Sequence, residues 1–524
     1  MILKSPYPDV TIPDVSLVEY VFKDRARWAD KPAIVDGPSG RQYTYTQLYQ
    51  AIQGCAAGLH ARGIRKGDVI GIVSPNCPEF AIAFLGASVI GAIASTVNPL
   101  STAEEIATQF TDSRARLLVT VKVFVDKCLE AAKTAGVEEV YVFGEAPGAT
   151  PFSSLIRPEL PVPAVTINPA EDIACLPYSS GTSGVPKGVM LTHRNLVANM
   201  VQSFASSIEI LESDRVLGIL PFFHIYGMVV IMNAALVKGA TIVTMPKFEL
   251  EPFLQLVQEH KITLANVVPP IILALAKHPI IDKYDLSSLR FLGSGAAPLG
   301  KALASACEAR LKVRVRQGYG LTETSPVTHF HPNDDGMVKY ESIGPLIAST
   351  EARIVSTTTG KDVGTDEPGE LWLRGPQVMK GYYNKPEATA LCTSPDGWFM
   401  TGDVATVDTN GWFEIVDRVK ELIKYKGMQI APAELEAILL AHPAIGDAAV
   451  IPIPDEEAGE IPKAFVVLKS PIDAEAIMEF VAGHVAPYKR VRRVEVVDSI
   501  PKSPSGKILR RFLVDRERAK AAAT

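Results

Sequence analysis

The sequence predicts an α/β protein with a large N-terminal domain of layered α/β subdomains, residues 1–417, and a small mobile α+β C-terminal domain, residues 418–524. Three observations predict it. A chain of 524 residues is too long for one ordinary core, so at least two domains are expected. Across roughly the first 410 residues, short β-branched runs alternate with amphipathic helical windows, the pattern of a largely parallel, buried sheet covered by helices. The last hundred or so residues read as a compact unit of their own, while no 20–50-residue period recurs and no low-complexity linker appears.

Taken in order, residues 48–62 have apolar spacing near 3.6 and predict a helix, and Val69-Ile70-Gly71-Ile72-Val73 has strand length and composition. Residues 81–102 carry no charge and are long enough on paper to span a bilayer. Gly86, Ser88, Gly91 and Ser95 dilute that stretch and Asn98-Pro99 ends it, so a buried helix running into a strand is the better reading. Leu117 to Val121 and Thr241 to Met245 read as further strands, and Leu254 to Lys261 as a helix. In the terminal unit a helix starts at Glu434 and stops near His442-Pro443. Strands follow at Ala448 to Ile451 and Ala464 to Leu468, then a helix from Ala474 to Val485 and a strand at Val494 to Val497.

Composition excludes several functions. The net charge of −6 argues against a broad surface for nucleic acid or anionic lipid, and the basic run Lys489 to Arg493 reads as a solvated face. Six scattered cysteines, with no CxxC pair and no clustering with histidine, form neither a disulfide framework nor a zinc site. Reduced thiols, a polar Pro-broken N-terminus and no peroxisomal address at the C-terminus fit a cytoplasmic enzyme without a membrane span.

The strongest chemical signal is Tyr178-Ser179-Ser180-Gly181-Thr182-Ser183-Gly184-Val185-Pro186-Lys187-Gly188-Val189-Met190-Leu191-Thr192-His193. Small hydroxyl and glycine residues let backbone N–H groups wrap phosphate oxygens, and one lysine adds a point charge. It is not the common P-loop, because Pro186 stands where that loop needs Gly and Gly188 where it needs Ser or Thr. Further strings follow: Gly318-Tyr319-Gly320-Leu321-Thr322-Glu323, Thr401-Gly402-Asp403, Asp417-Arg418-Val419-Lys420-Glu421-Leu422-Ile423-Lys424 and Pro501-Lys502-Ser503-Pro504-Ser505-Gly506-Lys507.

With these five motifs in order, the sequence resembles the adenylate-forming superfamily, most nearly 4-coumarate–CoA ligase-like enzymes and acyl-CoA synthetases, over residues 15–515. The resemblance implies an ATP-dependent carboxylate–CoA ligase that forms an acyl-adenylate, releases pyrophosphate and passes the acyl group to coenzyme A. A carboxylate is already ionised at neutral pH and needs no general base to attack the α-phosphate. The obstacle is charge, so cations and oriented donors should carry the catalysis.

The resemblance assigns Ser179, Ser180, Gly181, Thr182, Ser183, Lys187, Gln317, Gly318, Tyr319, Gly320, Thr322, Asp403 and Arg418 to ATP and AMP. It puts Thr182 and Glu323 near Mg²⁺, although an acidic residue after Thr322 also suits a first helical turn. Asp403 and Arg418 fit a ribose-binding pair and equally a plain ion pair. Lys507 is the lysine that meets the carboxylate and the α-phosphate, with Lys424 and Gln429 near the adenylate and His224 closing over it. A core histidine is the alternative at His224.

Lys420 takes the hinge position, and Lys247, Lys426 and Gly427 fall where relatives contact coenzyme A. Tyr226, Val230, Ala296 and Gly318 are implied to line the acid tunnel, where Tyr226 either hydrogen-bonds a phenol or packs. The strings His224-Ile225-Tyr226 and Met245-Pro246-Lys247-Phe248 favour a hydroxycinnamate-type acid. Leu321 to His329 looks as much like fatty acid–CoA ligases, and a carrier protein is the alternative thiol acceptor.

Overall fold

The computed structural model describes residues 1–179, 186–297, 299–333, 338–426, 428–455, 457–502 and 506–522. The chain packs into two compact units. The larger comprises Lys4–Glu351 and Arg374–Phe399, and the smaller Met1–Leu3, Ala352–Leu373 and Met400–Thr524.

The larger unit is built on two sheets. In the nine-stranded one, Ile173–Cys175, Ile93–Val97, Val69–Val73, Ala115–Val121, Glu139–Phe143 and Thr150–Pro151 run parallel in that spatial order. Val69–Val73 and Ile93–Val97 are buried at every position, which is why they read as continuous apolar or small-residue runs instead of alternating ones. The uncharged stretch forms the helix Pro78–Val89 and then the strand Ile93–Val97. Among the described residues no helix is long and apolar enough to cross a membrane.

The eight-stranded sheet sets Arg314–Gly320, Phe291–Ser294, Leu264–Val267, Arg215–Gly218, Thr241–Thr244 and Pro32–Asp36 side by side and parallel. Antiparallel strands Val327–Phe330 and Gln42–Thr44 close its two edges. Parallel strands deliver whatever follows them to one end of a sheet, and ligands bind in the crevice outside those carboxyl ends. Here the segments so delivered are Gly295-Ala296 and Gly318 to Thr322, the strings singled out from sequence.

The smaller unit pairs Phe399–Val407 with Phe413–Arg418 in an antiparallel hairpin. A second, five-stranded sheet orders Met428–Ile430, Ile423–Tyr425, Gly459–Leu468 and Ile445–Asp455, with Arg493–Val496 parallel to Gly459–Leu468. The two expected strands at 448–451 and 464–468 are the middle of one long hairpin, in which Ala448 faces Val466. The expected helix 474–485 starts at Ala474 under an Asp473 cap but ends at Ala482, before Gly483, a poor helix former.

Candidate functional site

The strand Lys187–Thr192 leaves the Ser/Gly-rich segment, whose Ser180, Gly181, Thr182 and Ser183 lie outside the described residues. Its start is fixed by an antiparallel hairpin with Tyr178–Ser179, in which Ser179 faces Lys187. Its end is fixed by a capping box: Thr192 Oγ1 accepts the Asn195 N–H at 3.1 Å while Asn195 Oδ1 accepts the Thr192 N–H at 3.0 Å. On the other side Gly381–Tyr382 pairs with the same strand, and the Tyr383 N–H donates to the Gly188 carbonyl at 2.8 Å.

These elements converge on Glu323. It sits in the 3₁₀ turn Thr322–Thr324 and is buried, yet its carboxylate is not spent on its own turn. Oε1 accepts the Ser179 hydroxyl at 2.7 Å and the Tyr382 hydroxyl at 2.9 Å. The Glu323 carbonyl accepts the Met379 N–H at 2.8 Å. Among the described residues no group donates to Oε2. The Lys187 ammonium stands 4.8 Å from the centroid of the Tyr382 ring. Tyr382 was not singled out from sequence; its only local signal is an aromatic pair between Gly381 and Asn384.

A second group lies beyond the strand Arg215–Gly218. Residues Tyr226–Asn233 form a π-helix, a rare form that recurs at functional sites. Gly227 permits its tight entry, because a Cβ there would stand 2.2 Å from the Pro221 carbonyl oxygen. The Asn233 side chain donates to the carbonyl of Met228 at 3.0 Å, five residues back. Just before the helix, the Tyr226 N–H donates to His224 Nδ1 at 3.3 Å, which puts the proton of the neutral imidazole on Nε2. Desolvation by the surrounding protein pushes the ring's pKa down to about 4, yet the residue is exposed to solvent, which suits a cleft lining better than a core histidine.

The residues implied to line the acid tunnel fall into two sets. The Tyr226 ring rests on Gly295: a Cβ at Gly295 would lie 2.9 Å from Cε1 and 3.2 Å from the hydroxyl oxygen. Burial raises the Tyr226 phenol well above its usual range. Ala296 follows with φ +68°, in the left-handed region. In the other set Val230 packs against Val327, Phe330 and Ile347, and Gly318 faces the same Phe330 ring, 2.9 Å from where its Cβ would be.

The nearby motif residues are held by structure. The Gln317 side chain bonds the main chain of Leu299 in both directions, at 3.1 Å each, and donates to the Tyr340 carbonyl at 2.5 Å, while its own carbonyl accepts the His331 N–H at 3.0 Å. Tyr319 meets His329 edge-on at 5.7 Å. Gly320 is obligatory, with the Pro326 oxygen 2.0 Å from a hypothetical Cβ. Lys247 is exposed and paired with Glu249 at 3.1 Å.

In the smaller unit Asp403 and Arg418 face each other across the hairpin and form an ion pair at 3.2 Å. Lys507 belongs to the same neighbourhood. Burial and then the Arg418 charge pull its pKa down to about 8, against the opposing pull of Asp403 and Glu421. Arg510, at the start of the helix Arg510–Ala522, bonds Glu436 at 2.6 Å, Glu421, and the Val450 carbonyl at 3.2 Å. Asp417 accepts the Arg418 and Ala433 N–H groups at 2.7 and 2.9 Å.

Lys420 lies in the tight turn after Arg418, whose carbonyl accepts the N–H groups of Glu421 and Leu422. The next hairpin pairs Lys424 with Gln429 in register, Lys424 being exposed. The Gln429 side chain and Gly427 lie outside the described residues. Lys426 takes φ +47° and pairs with Glu457 at 2.5 Å.

Comparison with known proteins places this arrangement. The family model for AMP-binding enzymes matches residues 21–383, and that for the AMP-binding enzyme C-terminal domain matches residues 434–507. The 4-coumarate–CoA ligase 1 of Solanum tuberosum is 43% identical across 100% of this chain and 97% of its own. The Pinus taeda 4-coumarate–CoA ligase is 44% identical across 99% and 98%. Among solved structures, ATP-bound MatB from Rhodopseudomonas palustris superposes with a TM-score of 0.88 at 27% identity, over 96% of this chain and 99% of that one. The anthranilate CoA ligase AuaEII, in complex with anthranoyl-AMP, gives 0.88 at 28%, over 98% and 99%. Two family models in the right order and relatives above 40% identity along the whole chain leave one conclusion: the chain belongs to the AMP-binding enzyme family, among its 4-coumarate–CoA ligase-like acyl-CoA synthetases, and is an acid–thiol ligase.

Proposed function

We propose that the protein ligates an aromatic acid of the hydroxycinnamate type to coenzyme A, through an acyl-adenylate and with release of pyrophosphate. The observation that carries the acid assignment is the Tyr226 ring lying on Gly295 beside Ala296, a flat aromatic wall over a floor with little or no side chain. Its relatives' names, 4-coumarate–CoA ligases at 43–44% identity, support the same class.

In the first step the ionised acid attacks the α-phosphate of ATP. The phosphates are held by Ser179, Ser180, Gly181, Thr182, Ser183 and Lys187, and the rest of the nucleotide by the segment that carries Gln317, Gly318, Tyr319, Gly320 and Thr322. Asp403 accepts from the ribose hydroxyls, kept in place by its ion pair with Arg418. Lys507 supplies the cation for the charge that gathers between carboxylate and phosphate, with Lys424 and Gln429 at the adenylate. At neutral pH it is mostly protonated, as this role demands. Mg²⁺ prefers one or two carboxylates together with water and phosphate oxygens, and Glu323, with Oε2 clear of described donors, fits as its carboxylate, Thr182 being the other residue assigned to the ion. When bound, the ion neutralises phosphate charge.

In the second step the coenzyme A thiol attacks the adenylate carbonyl and AMP leaves. His224 remains neutral across the working pH range and presents Nε2–H as a donor to the oxygen that gains charge. Lys420 is the hinge between the steps, separating residues 1–417 from 418–524, and Lys247, Lys426 and Gly427 receive coenzyme A. All six cysteines are free thiols, which supports residence in the reducing cytoplasm.

The test is a panel of acids. Cinnamate and 4-coumarate should equal or exceed the best member of a C4 to C16 fatty acid series, whose kcat/KM should rise by roughly 0.8 kcal/mol per buried CH₂ and then collapse. Tyr226→Phe should penalise 4-coumarate more than cinnamate, by about 0.5–1.5 kcal/mol. Palmitate exceeding 4-coumarate tenfold overturns the aromatic assignment in favour of a fatty acid–CoA ligase.

A further inference from the structure

We propose that Tyr382 is a positioning residue for adenylate formation, its hydroxyl setting the orientation of the Glu323 carboxylate and its ring holding the Lys187 ammonium. The inference rests on the reading above, in which Glu323 serves the divalent cation and Lys187 the phosphates. Two contacts meet on this one side chain and a third holds its backbone. Its hydroxyl donates to Glu323 Oε1 at 2.9 Å, its ring lies 4.8 Å below the Lys187 ammonium, and its own N–H donates to Thr389 Oγ1 at 2.8 Å. The residue is buried and its backbone is locked, because Gly381–Tyr382 is a strand paired with Lys187–Thr192. Glu323 is therefore tied to the strand that carries Lys187 through one rigid aromatic side chain.

The chemistry explains why a tyrosine suits the place. A free carboxylate can turn and bind a cation through either oxygen or both. Two neutral O–H donors on the same oxygen, Ser179 and Tyr382, break that symmetry and leave Oε2 for the ion. Because neither donor carries a charge, the carboxylate keeps its full negative charge for the cation, which an arginine or lysine partner would neutralise. The aromatic face meanwhile attracts an ammonium without a counter-charge, leaving Lys187 cationic toward phosphate. A carboxylate and a lysine that would otherwise pair with each other are thus kept close and apart.

The test compares Tyr382→Phe, which keeps the ring and removes the hydroxyl, with Tyr382→Leu, which removes both. Binding of Mn²⁺ to the full-length protein saturated with α,β-methylene-ATP, followed by electron paramagnetic resonance, reads the site without turnover. Thermal melting checks the fold. Tyr382→Phe should weaken Mn²⁺ binding about tenfold with little change in nucleotide affinity. Tyr382→Leu should in addition weaken the nucleotide several-fold, as Lys187→Ala should. In a Glu323→Gln background, Tyr382→Phe should have no further effect on Mn²⁺, because the two act as a unit. Wild-type Mn²⁺ binding in Tyr382→Phe, alongside weakened binding in Glu323→Gln, overturns the positioning role and spares the metal reading. Unchanged Mn²⁺ binding in Glu323→Gln overturns both. A lowered melting temperature with equal loss of metal and nucleotide binding in every Tyr382 variant reduces the residue to a structural one.

Discussion

Glu323 in the larger unit and Lys507 in the smaller one are both charged groups with a proposed part in adenylation, and they are held by opposite means. Glu323 is oriented by two neutral hydroxyls and a backbone carbonyl bond, so its charge is not cancelled by any described cation within bonding distance. Lys507 lives among formal charges: Arg418 and Arg510 push against its protonation while Asp403 and Glu421 support it. Short-range, directional bonds set a geometry and are indifferent to ionic strength and pH. A balance of full charges sets a protonation state, and it moves when any member moves. The first kind of site is built to aim an anion, the second to poise a cation.

The largest effect that tests this contrast is removal of the cation itself. Lys507→Ala should cut acyl-adenylate formation more than 100-fold, since a charge acting on the reacting centre contributes about 3–4 kcal/mol. Thioester formation from preformed acyl-adenylate should stay nearly intact. Single-turnover assays of each half-reaction separate the two, and equal losses in both would make Lys507 a structural residue.

Next in size is the hinge. Lys420→Pro fixes φ at the turn between Arg418 and Ile423 and should lower acyl-CoA production at least tenfold while ATP–pyrophosphate exchange persists. Loss of exchange with thioesterification preserved would mean the turn serves the first step instead.

The smallest effect is the most discriminating. Lys507 must be protonated to act, so kcat/KM for adenylation, which reports the free enzyme, should be highest below pH 8 and fall as pH rises through about 8. Glu421→Gln removes a group that favours the charged lysine and also frees Arg510 from one of its carboxylate partners, and both changes disfavour the ammonium. The falling limb should therefore move to lower pH, by roughly a few tenths of a unit. Ser179→Ala, at the neutral site, should leave that limb where it is. A shift of equal size in both variants would erase the distinction between the two sites.

How much of this could be read beforehand follows the same divide between local and distant causes. The parallel strands at 69–73 and 93–97 were legible because a strand buried on both faces must be uncharged throughout, a property each run carries by itself. The uncharged runs at 448–451 and 464–468 were legible as strands for the same reason, but not their membership of longer, charge-bearing strands, Ile445–Asp455 and Gly459–Leu468, paired as one hairpin. The π-helix at Tyr226–Asn233 was not, since its apolar residues suit any buried helix and only the packing of Gly227 on Pro221 reveals the wider turn. Glu323 stood out inside a recognisable string, whereas Tyr382, 59 residues further on, gains its importance only when two strands bring its hydroxyl to that carboxylate. Gln317 shows the reverse: it was assigned to the nucleotide from its place just before the Gly318 string, but its amide is taken up by Leu299 and Tyr340.

The π-helix has one further consequence, which concerns length rather than chemistry. A stretch wound with the wider i→i+5 bond holds one more residue than the α-helical turn that would span the same gap. Deleting a single residue between Tyr226 and Asn233 lets the segment close as ordinary α-helix across the same gap, so the flanking chain keeps its place while the side chains inside the segment tighten to about 100° per residue. Tyr226, on Gly295, and Val230, on Phe330, would then point in a new direction relative to each other. Acid selectivity in this scaffold is therefore open to change by insertion and deletion, a route that a survey of point substitutions never samples.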